Sequence, residues 1–118
     1  MEPIIQSLGF KAKTELEDFI TDKLQGIKYD KIIKTEVTLF LGPDSDPANK
    51  VCEIRLHIPG NDLFAKRNAE FFEPAVNECI DVLQREVKQL REKQIDRRQA
   101  DATAIQDALM SGGVEEND

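Results

Sequence analysis

Hydrophobic and polar residues change their period along this chain, and each change marks an element. Ile4, Ile5 and Leu8 form a short apolar stretch ended by Gly9, which reads as a first strand over residues 3–8. Thr14 stands three residues before Glu17, the spacing at which a hydroxyl and a carboxylate each satisfy a free amide at a helix start, so a helix is predicted from Thr14. Leu16, Phe19, Ile20, Leu24 and Ile27 follow at helical spacing, with Glu15, Asp18 and Asp22 left on the wet side and Gly26 weakening the end.

From Ile33 the period falls to two. Thr35, Val37, Leu39 and Leu41 share one face of a predicted strand and Lys34, Glu36, Thr38 and Phe40 the other. The segment GPDSDP over 42–47 cannot sit in a ladder and reads as a loop. Alternation resumes over 51–58, with Cys52, Ile54, Leu56 and Ile58 opposed to Glu53, Arg55 and His57. PGND at 59–62 is a tight turn and LFAK at 63–66 a short returning strand. Pro74 belongs in a first helical turn, so a second helix should start around 70–73. Phe72, Val76, Cys79, Ile80, Leu83, Val87 and Leu90 then make a single stripe.

The order β-α-β-β-β-α predicts an α+β fold: a two-layer sandwich in which both helices cover one face of a mostly antiparallel four-stranded sheet. The folded domain is expected over 1–94. Residues 95–118, rich in Ala, Asp and Gln and acidic at the end, are expected as a flexible tail with a helical beginning.

Composition narrows the function. The chain has 118 residues, enough for one domain with one modest core, and 33% of them are charged. A formal charge of -7 argues for solubility and against a global attraction to nucleic acid, so polyanion binding would have to be local. The absence of an apolar leader or a spanning-length run predicts a cytoplasmic protein with no membrane partner. Cys52 and Cys79, with no CxxC and a single histidine in the chain, look like small buried hydrophobes and call for no metal.

Candidate chemistry is sparse. His57 would have to anchor any triad from an alternating strand. Asp44, Asp46 and Asn49 lack the spacing of a calcium loop and read as a solvated turn. No phosphate-cradling glycine motif is present, so neither an enzyme nor a cofactor nor a small-molecule substrate is indicated. Phe71 and Phe72 could offer a base-stacking platform, but the helical periodicity places Phe72 in the core. One feature stands out. From Arg85 to Arg98 lie six basic residues, Arg85, Lys88, Arg91, Lys93, Arg97 and Arg98, against the three acidic residues Glu86, Glu92 and Asp96. At about 100° per residue, Lys88 and Arg91 flank the apolar stripe with Arg85 just beyond. A solubilising helix surface would show the same pattern, and periodicity alone does not separate the two.

Four stretches in order resemble the bacterial ribosome hibernation-promoting factor and protein Y family, the ribosome-associated translation inhibitors once described as sigma-54 modulation proteins. They are IQSLGFKAKTELEDFITDKL (5–24), TEVTLFL (35–41), IRLHIPGNDLFAK (54–66) and AVNECIDVLQREVKQLREK (75–93). The resemblance implies that basic residues of both helices lie on small-subunit rRNA, in the channel where tRNA and mRNA bind, and so block translation under slow growth or stress. Carried over by position, Lys23 and Lys28 match basic positions of the first helix and Arg85, Lys88 and Arg91 those of the second. Lys93 closes the basic run and completes the expected rRNA-binding set. A tail resembling that of protein Y implies inactivation of single ribosomes rather than ribosome pairing, by a protein monomeric off the ribosome. The competing class is a non-enzymatic protein-protein interaction module, in which the near-heptad positions Phe72, Cys79, Ile80, Val87 and Leu90 zip against a partner helix.

Overall fold

The alternating segments pair as their periodicity requires. A computed structural model describes residues 3–110, with side chains as far as residue 93. The elements are β1 (Ile4–Leu8), α1 (Thr14–Leu24), β2 (Lys34–Leu41), β3 (Lys50–His57), β4 (Leu63–Ala69) and α2 (Phe72–Met110). The sheet has the order β1-β2-β3-β4. β1 runs parallel to β2, and the other two pairs are antiparallel. A parallel neighbour cannot be reached by a hairpin, which is why α1 sits between β1 and β2 as a crossover.

Register decides what the sheet buries. Val37 lies opposite Ile54 and Ile54 opposite Ala65, while Leu39 faces Cys52. Val37, Leu39, Cys52, Ile54 and Ala65 are all buried, and this row is the floor of the core. On the opposite face Glu36 is paired with Arg55, and Thr38 and Lys66 both flank Glu53, a polar set that stays in water. The two helices cover the apolar face. α1 contributes Leu16 and Ile20, and α2 contributes Ala75, Val76, Cys79, Ile80 and Leu83, all buried. This is the expected two-layer α+β arrangement.

The chain divides into two units, Met1–Glu86 and Val87–Asp118. The first holds the sheet, α1 and the opening turns of α2; the second holds the remainder of α2. The boundary expected near residue 94 falls inside α2, whose helix runs on to Met110. Residues 111–118 of the expected tail lie outside the described residues.

Two local expectations need correction. Thr14 is the first helical residue of α1 rather than its cap: Lys13 occupies the cap position with extended backbone and no side-chain cap. A lysine side chain has no acceptor to offer, and the Lys13 carbonyl instead accepts the amides of Leu16 and Glu17 at 3.0 and 3.1 Å. Glu15 and Glu17 in the first turn oppose the positive end of the helix dipole. β4 is also longer than the expected 63–66, because its ladder continues until Ala69 meets Lys50. Arg67 and Asn68 carry no apolar alternation, so the strand there is held by the hydrogen bonds that β3 supplies.

Cys52 on β3 and Cys79 on α2 are both fully buried and free. The Cys79 thiol donates to the Cys52 carbonyl at 3.3 Å. Hydrogen bonding with Cys79, reinforced by burial, pushes the Cys52 thiol well above the ordinary thiol range. The same hydrogen bonding lowers the Cys79 thiol, so burial is what shields both sulfurs: iodoacetamide is expected to leave both cysteines unmodified in the native protein and to alkylate both once denaturant unfolds it, a difference that intact mass measures directly.

Candidate nucleic-acid interface

The described cations differ in their partners. Four on the sheet are answered by carboxylates, while Lys50, on β3, donates instead to Asn49 Oδ1 at 2.7 Å. Lys34 pairs with Glu36 at 3.2 Å, Arg55 with Asp62 at 3.7 Å, Lys66 with Glu53 at 3.6 Å and Arg67 with Glu78 at 3.9 Å. Those predicted as the RNA-binding set are not. Among the described residues, none of Lys23, Lys28, Arg85, Lys88, Arg91 and Lys93 is in an ion pair, and all six are exposed.

Within the first unit, Lys23 sits in the last turn of α1, where a cation favours the negative end of the helix dipole. Its ammonium lies 5.5 Å over the Phe19 ring. Lys28 follows the helix. Gln84 of α2 donates its side-chain amide to the Gly26 carbonyl at 3.4 Å, which brings the segment carrying Lys28 beside the turn of α2 carrying Arg85. Arg85, which is exposed, donates Nε to the Asp81 carbonyl at 3.3 Å, and its terminal guanidinium nitrogens stay free for another acceptor. Lys88, Arg91 and Lys93 belong to the second unit and are exposed on its helix.

The other candidates resolve into structural roles. His57 is clasped by two carboxylates, with Nε2 at 2.8 Å from Glu36 and Nδ1 at 3.2 Å from Asp62. This arrangement occupies both ring nitrogens and ties β2 to the turn after β3. The hydrogen bond from His57, and secondly that from Lys34, holds the Glu36 carboxyl below its ordinary 4.5. A depressed carboxyl stabilises the fold above its unfolded pKa, and that contribution is lost as the pH falls through the lower folded value. Thermal melts are therefore expected to show wild type losing its advantage over Glu36→Gln as the pH is lowered from 6 to 3. The candidate calcium loop is spent on its own turn: Asp46 Oδ1 accepts the Ala48 amide at 2.9 Å, and Asn49 Oδ1 accepts Lys50 Nζ at 2.7 Å.

Phe72 is half-buried and stacks on Phe10, with centroids 5.1 Å apart and planes at 12°. Phe71, its neighbour, is 63% exposed. Sequence reasoning kept Phe72 for the core but had no signal for Phe10, a loop residue outside any periodic segment.

The sequence model for the family described as sigma 54 modulation protein / S30EA ribosomal protein matches residues 4–95, which spans the four strands, α1 and all six candidate cations. The chain belongs to that family. Its members are ribosome-associated factors, and the expected resemblance to the hibernation-factor family is borne out. A ribosomal subunit interface protein from Coxiella burnetii superposes with a TM-score of 0.69 at 15% identity, over 78% of this chain and 99% of that one. The N-terminal domain of Thermus thermophilus Protein Y gives 0.66 at 18% identity, over 76% and 99%. At these identities the likeness is one of fold. No curated protein matches by sequence. Among the described residues, no helix is long and apolar enough to cross a membrane.

Proposed function

We propose that this family member binds the small ribosomal subunit of the bacterial cytoplasm through Lys23, Lys28, Arg85, Lys88, Arg91 and Lys93, on rRNA of the tRNA and mRNA channel. It thereby holds single ribosomes inactive, as a monomer without cofactor or small-molecule substrate. The observation that carries the reading is the contrast in pairing: Lys34, Arg55, Lys66 and Arg67 on the sheet are each matched with a carboxylate, while Lys23, Lys28, Arg85, Lys88, Arg91 and Lys93 have none among the described residues. An unpaired, exposed lysine or arginine keeps its donors for phosphate oxygens, and a guanidinium engages two at once. Each contact releases condensed counterions from the RNA, which is the main source of sequence-independent affinity.

The net charge of -7 makes the chain as a whole unattractive to RNA, so attraction has to come from local contacts of these cations. Occupying the channel excludes tRNA and mRNA without any chemical step. The alternative, a partner helix zipped along α2, is disfavoured because Val76, Cys79, Ile80 and Leu83 are already buried in the protein's own core.

Cell-free translation tests the reading. Purified protein in excess over ribosomes is expected to stop synthesis when added before initiation, and Arg85→Glu/Lys88→Glu/Arg91→Glu is expected to leave it running. Undiminished synthesis with the folded wild type at tenfold excess would remove the proposal.

A further inference from the structure

The loop that enters α1 and the loop that enters α2 enclose a cleft that the reading above does not use. Its volume is about 280 Å³, just under the roughly 300 Å³ at which ligand pockets usually begin, which suits a single flat ring better than a whole nucleotide. The apolar wall is Leu16 with the stacked pair Phe10 and Phe72, and Phe71 stands at the mouth, 63% exposed. A large aromatic ring left in water next to two already stacked rings presents a free π-face.

The charge around this opening favours an anion. Lys11, Lys13 and Lys50 line it. Glu15 and Glu73 line it as well, but each lies in the first turn of its helix, and neither is ion-paired with any of the three lysines among the described residues. Lys11 and Lys13 thus keep their ammonium groups available at the edge of an aromatic slot, and Lys50, which donates to the neutral Asn49 Oδ1 at 2.7 Å, keeps its remaining donors; flexible four-carbon stems let them follow a phosphate. Stacking faces edged by cations are how proteins hold unpaired bases.

We propose that this cleft takes one unstacked base of a single-stranded RNA, with Phe71 on its face and the flanking phosphates on Lys11, Lys13 and Lys50. Only the choice of RNA as ligand rests on the ribosome-binding reading. The aromatic slot favours a base over an acidic peptide, since it offers ring faces but no backbone edge for a peptide strand to join.

The test uses the full chain and a fluorescein-labelled RNA hexamer of adenylates, followed by anisotropy and by amide shifts in NMR. The hexamer is expected to shift residues 10–16 and 71–73, equally in wild type and in Arg85→Glu/Lys88→Glu/Arg91→Glu. Phe71→Ala should weaken binding about fivefold or more, because stacking is lost, while Phe71→Tyr retains it. Lys11→Glu/Lys13→Glu should weaken it and flatten its salt dependence. An abasic ribose-phosphate hexamer that binds as well as the adenylate, or shifts confined to residues 85–93, would overturn the proposal. So would an acidic Phe-containing peptide that shifts the cleft when RNA does not. Ribosome binding that fails while the hexamer still shifts the cleft would remove the earlier reading and leave this one; the converse would remove only this one.

Discussion

Reversing Arg85, Lys88 and Arg91 together to glutamate is expected to weaken binding to small ribosomal subunits about 100-fold. Each residue is exposed and outside any described ion pair, so its loss removes an intermolecular contact and little else. At about 1 kcal/mol per solvent-screened phosphate contact, three contacts give about 3 kcal/mol, or roughly two powers of ten. Placing carboxylates there adds repulsion, so the figure is a lower bound. The salt dependence carries the more specific signature. With three fewer phosphates neutralised, the slope of log affinity against log salt should fall by roughly two to three. Anisotropy titrations of labelled protein at several potassium chloride concentrations measure both, and circular dichroism should show the variant folded.

Ile54→Ala is expected to destabilise the fold by about 2–5 kcal/mol. Ile54 is fully buried on β3 between Val37 and Ala65, at the centre of the face that α1 and α2 cover. Truncation removes buried methyl and methylene groups and leaves a cavity in a sheet whose backbone cannot follow it inward, being hydrogen-bonded on both sides. A domain of this size has about 5–15 kcal/mol in total, so the variant should be close to unfolded at modest temperature. Ile33→Ala, at a residue 62% exposed, should change stability by about 0.5 kcal/mol or less. Urea denaturation followed by circular dichroism gives both values.

These expectations follow from features that differed in how far the sequence disclosed them. β3 was plain, because one side of it is wet and Cys52, Ile54 and Leu56 alternate with Glu53, Arg55 and His57. The end of β4 was hidden, because Arg67 and Asn68 are held by pairing with residues some fifteen positions earlier and not by any local preference. The start of α1 misled for the opposite reason: Thr14 and Glu17 have the spacing of a capping box, yet the backbone turns one residue sooner, at Lys13.

The candidate site divides in the same way. The basic run of α2 was visible as composition, and Lys23 and Lys28 through resemblance. Which cations are neutralised was not visible, since Lys66 meets Glu53 across a strand pair and Arg67 meets Glu78 between a strand and a helix. Those pairings depend on register and packing. Phe10 could not be placed against Phe72 from sequence either, because 62 positions separate two residues that only the fold makes neighbours.

The central claim is that the helix cations seat this protein on the small subunit. Its most direct test is sedimentation of the wild type through sucrose gradients with separated small and large ribosomal subunits, at low and high salt. The account predicts protein in the small-subunit fractions at low salt, little with the large subunit, and release to the top of the gradient at high salt. Folded protein that stays at the top with both subunits at low salt, or travels with the large subunit alone, would contradict it.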